Sequence, residues 1–181
     1  MRTVVSTIAV FAVLAGIGCG GKGAPQAPAA TAKWPVEATG VLTEDELAGF
    51  VKALPSFSAA LKAASWQPAQ PAEGDGPVEY LTKLVEGMNT PGVDDSLKAF
   101  GGWAQLRPTL YKVFAAVSAV QIGSVPPEQI EQMKKDTSAV AKKGVKDFEA
   151  AKAAFSQIPE ANKQMLVSHQ QELQALQTLG R

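Results

Sequence analysis

From Leu42 onward, apolar side chains recur at steps of three and four, the spacing that lines one face of an α-helix. Leu47, Phe50, Val51, Leu54, Phe57 and Leu61 make the first such stripe. Thr43-Glu44-Asp45-Glu46 precedes it, and Thr followed three residues later by Glu is a capping box. In that motif the hydroxyl accepts from the Glu46 amide and the carboxylate reaches back to the Thr43 amide. Pro55 removes one backbone donor and crowds the turn before it, so a kink or a break is expected there, with the segment ending near Trp66. Residues 67–76 hold Pro68, Pro71, Gly74 and Gly76 and read as a loop. Pro77 then opens a second helix, where its missing N–H costs nothing, with Val78, Leu81, Leu84, Val85 and Met88 as its stripe.

Asp94 or Asp95 is placed to cap a short helix carrying Leu97 and Phe100, and Gly101-Gly102 permits a bend. A third long stripe runs through Trp103, Leu106, Leu110, Val113, Phe114, Val117 and Val120, with Pro108 marking a kink or the start of its regular part. Val125-Pro126-Pro127 stops one helix and starts another. The fourth stripe, Ile130, Met133, Thr137, Val140, Gly144, Phe148, Ala151 and Phe155, is the most regular of the chain and near a heptad, which predicts one continuous helix. Lys134, Lys135, Lys142, Lys143 and Lys146 fall on its other side. Pro159 opens a fifth helix with Leu166, His169, Leu173 and Leu176 aligned. No alternating run is long enough for a good strand. The expected fold class is all-α, an up-and-down bundle of four to five helices over residues 41–181. Each helix is apolar on one stripe only and is stable by burying it, worth roughly 1.5–3 kcal/mol per large side chain.

The first 40 residues follow different rules. Arg2 is followed by an apolar run over residues 4–17, interrupted by Ser6, Thr7 and Gly16. That is short of the roughly 20 residues a bilayer-spanning helix needs and suits the apolar core of a secretory signal. The run ends in Ala15-Gly16-Ile17-Gly18-Cys19, followed by Gly20-Gly21-Lys22-Gly23. This resembles the lipobox of bacterial lipoproteins, in which an aliphatic residue, a small or aliphatic one, and Gly or Ala precede the cysteine. Ile17 and Gly18 fit the last two of these positions; Gly16 departs from the first, where Leu is typical. The resemblance implies loss of a signal peptide, residues 1–18, and acylation of Cys19 with palmitate-type chains. It also implies a periplasm-facing place in the bacterial cell envelope. Gly20 stands where an Asp would mark inner-membrane retention in enteric bacteria, so the analogy points to the outer membrane. Residues 20–33, mostly Gly, Ala, Pro, Gln and Lys without an apolar period, read as a flexible tether, and the tether is drawn over 19–40 including the lipidated Cys. Trp34, at its end, is placed either to meet a membrane interface or to pack on the bundle.

Composition narrows the chemistry. At 181 residues the chain fits one domain, and 46% hydrophobic against 19% charged residues supplies a core. Basic and acidic residues number 17 each, which argues against a nucleic-acid partner. A single Cys excludes an intrachain disulfide framework, and a single His excludes di-iron sites and other metal sites needing two. His169, with Glu172 at i+3, is the one candidate for cofactor binding. It would serve as a haem ligand with Met88, Met133 or Met165 opposite, although no Cys-x-x-Cys-His attachment motif is present. No Gly-x-Ser-x-Gly elbow supplies a nucleophile. The acidic clusters Glu44-Asp45-Glu46 and Asp94-Asp95 sit where helix N-termini favour negative charge. The lysines near 134–146 are either a solvated face or a contact for anionic lipid or an acidic polymer. The expected protein is a lipid-anchored, non-catalytic scaffold, adaptor or accessory subunit with an envelope protein as partner and no cofactor or metal. The competing expectation is a bundle holding an apolar small molecule or haem at His169.

Overall fold

The computed structural model describes residues 33–72 and 75–173. They form an all-α bundle with no strand among the described residues. The helices are α1 (Glu44–Ala63), α2 (Pro77–Gly87), α3 (Val93–Ser96), α4 (Gly102–Gly123), α5 (Pro127–Lys135), α6 (Ala139–Phe155) and α7 (Glu160–Ser168). Two 3-10 turns, Val36–Thr39 and Lys98–Phe100, accompany them. None of these helices is long and apolar enough to cross a membrane.

α4 is the axis of the fold. Trp103, Leu106, Leu110, Tyr111, Val113 and Phe114 are buried along it, and Ala115, Ala116, Ser118 and Ala119 complete a surface hidden on most sides. The small residues let neighbours approach closely, and α4 packs against the first 3-10 turn, α1, α2, α3, α6 and α7. α5 lies outside this arrangement and packs chiefly on α6. The main apolar core closes within residues 34–173.

The capping box forms as the sequence predicts. Thr43 Oγ1 accepts from the Glu46 amide at 3.2 Å, and Glu46 Oε2 accepts from the Thr43 amide at 2.9 Å. Pro55 does not break α1, which continues unbroken through it. The proline is exposed, so the carbonyl it deprives of a partner is near solvent, while Leu54 and Phe57 beside it are buried and hold the helix in place. α4 likewise starts six residues before Pro108. Its start is fixed by Gly101 and Gly102, both left-handed at φ 86° and 75°. A side chain at Gly102 would collide with Asp94, because the Asp94 Oδ1 stands 2.7 Å from where its Cβ would be. That oxygen accepts from the Trp103 amide at 2.7 Å, so Asp94 caps α4; α3 begins at a left-handed Gly92 with no side-chain cap.

The predicted fourth helix is two. Asp136 Oδ1 accepts from the Ser138 amide at 2.8 Å, and Ser138 Oγ accepts from the Ala141 amide at 3.1 Å. These local bonds compete with continuation of α5 and start α6 afresh. The register changes across the break. Val140 is 59% exposed instead of inward, and Ala141, Gly144, Phe148, Ala151 and Phe155 form the buried stripe. The fifth helix is shorter than its stripe: α7 stops at Ser168 with His169 as its C-cap, Leu173 is buried in the turn that follows, and Leu176 lies outside the described residues.

The tether expected over 19–40 gives way to folded chain at Trp34. Trp34, Ala38 and Leu42 are buried in the core. The Trp34 Nε1 donates to the Ala154 carbonyl at 2.9 Å, and its ring lies 5.1 Å from that of Phe155. Trp34 therefore packs on the bundle. Asn162, fully buried, completes the attachment: its Oδ1 accepts from the Leu42 amide at 2.8 Å and its Nδ2 donates to the Gly40 carbonyl at 2.9 Å. A buried amide with both ends paired costs little to bury and fixes the arm in one register.

Candidate functional site

His169 sits at the end of α7, where its ring meets the start of α1. Its Nε2 lies 3.2 Å from Glu44 Oε2 and its Nδ1 3.3 Å from Glu172 Oε1, with the side chain 27% exposed. Neither approach has hydrogen-bond geometry, and the buried Nδ1 is left without a hydrogen-bond partner. Both ring nitrogens thus face carboxylates. The imidazole lies between the end of α7 and the first turn of α1. Of the methionines considered with it, Met165 precedes it by one turn on α7, Met88 is buried at the end of α2, and Met133 is half-buried on α5. Among the described residues no group of three or more His, Cys, Asp or Glu side chains is arranged to hold a metal ion. Cys19 lies outside the described residues.

A polar seam that local sequence reasoning did not find runs along α4. Arg107 Nε donates to Glu86 Oε1 at 2.7 Å, and its Nη1 reaches Glu37 Oε1 at 3.2 Å. The Tyr111 hydroxyl donates to the same Glu86 oxygen at 2.7 Å, and the guanidinium lies 5.2 Å from the centre of the Tyr111 ring. One turn of α4 thereby holds the first 3-10 turn and α2. Burial, reinforced by the hydrogen bond to the Glu86 carboxylate, pushes the Tyr111 phenol up to about 12. At neutral pH it is a donor and not a base or nucleophile. Beside it Lys112 Nζ pairs with Glu46 Oε1 at 2.5 Å. Burial raises Glu46, but Lys112 and the Thr43 amide outweigh this and hold its carboxyl below the ordinary value. The only local trace of the seam is Arg107 four residues before Tyr111; Glu37 and Glu86 join it only once the chain has folded.

A shallow groove of about 520 Å³ lies between the end of α4 and α7. Its floor includes Ala119, Val120 and Gly123, and Val167 stands at its edge, 60% exposed, beside the Glu160–Lys163 ion pair at 3.0 Å. His169 does not line it. The lysines singled out in the sequence are split between α5 and α6. Lys134 pairs with Glu131 at 3.1 Å and Lys143 with Asp147 at 2.5 Å, while Lys135, Lys142 and Lys146 have no carboxylate within 4 Å among the described residues.

Comparison with family models, with curated proteins and with solved structures gives no match to this chain.

Proposed function

We propose that this protein is a lipid-anchored, non-catalytic component of the bacterial cell envelope. In this reading residues 1–18 are removed, Cys19 is acylated and the bundle faces the periplasm as a scaffold, adaptor or accessory subunit for an envelope protein. The observation that carries the reading is in the sequence: the only cysteine of the chain follows an apolar run ending in Ile17-Gly18 and precedes a Gly-rich stretch. Anchoring by two or more acyl chains is stable because each buried methylene contributes about 0.8 kcal/mol. Two features of the body support a role without chemistry. The polar cluster on α4 is internally paired, with a phenol held protonated, and the one imidazole stands near two carboxylates and does not line the groove beside α7. Mass spectrometry of protein extracted from native membranes tests the anchor. The expected mature N-terminus is a diacylglyceryl-modified Cys19; an unmodified thiol there, or cleavage elsewhere, overturns the reading.

A further inference from the structure

The helix that receives the N-terminal arm also carries an excess of positive charge. α6 holds Lys142, Lys143, Lys146 and Lys152 against Asp147 and Glu149. Basic and acidic residues are equal in number over the whole chain, so this excess leaves the remainder acidic. Lys142 and Lys146 lie one turn apart on the outward face of α6, opposite Gly144, Phe148 and Phe155, and neither has a carboxylate within 4 Å among the described residues. Exposed Ala139, Ala150 and Ala153 share that face with one acidic residue, the exposed Glu149, which leaves the two lysines in excess there. Lys134, paired with Glu131, and Lys135 end α5 just before it, with Asp136, whose carboxylate accepts from the Ser138 amide, between the two helices.

The arm supplies an independent reason to name the partner. Trp34 is held at Ala154, eight residues along α6 from Lys146, or about 12 Å at helical rise. Cys19 precedes Lys33 by fourteen residues, a span of at most about 50 Å. An acyl group at Cys19 therefore keeps this helix within reach of lipid headgroups.

We propose that the outer face of α6 docks on an anionic lipid surface, with Lys142 and Lys146 meeting headgroup phosphates. The proposal rests on the envelope reading above. Its test uses a chain beginning at Gly20, which keeps the whole core but carries no acyl group, floated with phosphatidylcholine vesicles with or without phosphatidylglycerol. The expected result is binding only when phosphatidylglycerol is present, reversed by high salt, and weakened about tenfold or more in Lys142→Glu/Lys146→Glu. A matched Lys52→Glu/Lys62→Glu variant on α1 should bind as the parent does, and all three proteins should melt alike. Equal binding by the α6 variant and the parent, equal binding to both vesicles, or capture by an acidic polysaccharide but not by vesicles overturns it. The two readings fail separately: an acylated Cys19 with no vesicle binding removes the docking alone, and vesicle binding with a bare Cys19 removes the anchor alone.

Discussion

On the α4 side of the bundle, Asn162 and Tyr111 are withdrawn from water with their polar atoms paired, at 2.8 and 2.9 Å for the amide and 2.7 Å for the phenol. At the α5–α6 corner, Lys135, Lys142 and Lys146 stand in water with no carboxylate within 4 Å among the described residues, and Val140 is 59% exposed. The two regions differ in what a substitution exposes. Removing one partner of a buried pair leaves the other without water, a cost of about 1–3 kcal/mol per stranded group. Removing an exposed charge or methyl strands nothing, because solvent was already there.

The contrast is broken most forcefully at Asn162. Asn162→Ala leaves the Leu42 amide and the Gly40 carbonyl without their partner, so a loss of about 2–4 kcal/mol is expected in urea unfolding. An unchanged midpoint would show that the two Asn162 hydrogen bonds contribute nothing to stability. A smaller effect is expected at the seam beside it. Glu46→Ala removes half of the capping box and the partner of Lys112, and should cost about 1 kcal/mol at neutral pH. The sign with pH follows from the carboxyl being held below its ordinary 4.5 in the folded protein. Its stabilisation is complete above about pH 4.5 and fades as pH falls through the lower folded value. The gap between parent and variant should therefore narrow in acid; a gap that widens there contradicts the geometry. The smallest effect is expected at the corner, where Val140→Ser should move stability by no more than about 0.5 kcal/mol. A loss several times larger would mean that α6 is covered at this position.

The same division separates what the sequence made legible from what it did not. The Thr43–Glu46 capping box, Pro77 at the first turn of α2 and the stripe of α4 are local signals, complete within a few residues of each other, and the fold uses all of them. The α5–α6 stripe was regular enough to suggest one helix, yet Asp136-Thr137-Ser138 offered a competing set of short-range hydrogen bonds, and these prevailed because α5 has little packing of its own to lose. The arm was illegible for the opposite reason. Nothing near Trp34 or Leu42 announces Ala154 or Asn162, which lie 120 residues away. His169 was readable as an imidazole on the edge of a stripe, but its neighbour Glu44 belongs to the far end of the domain.

The attachment of the arm has a mechanical consequence. Tension applied to the N-terminal end of the chain meets α6 at Trp34, α4 at Glu37 and α7 at Asn162 before it reaches α1, although α1 is the next helix along the backbone. A pull from that end is thus delivered to the C-terminal half of the molecule, and α1 is shielded from the load for as long as those contacts hold.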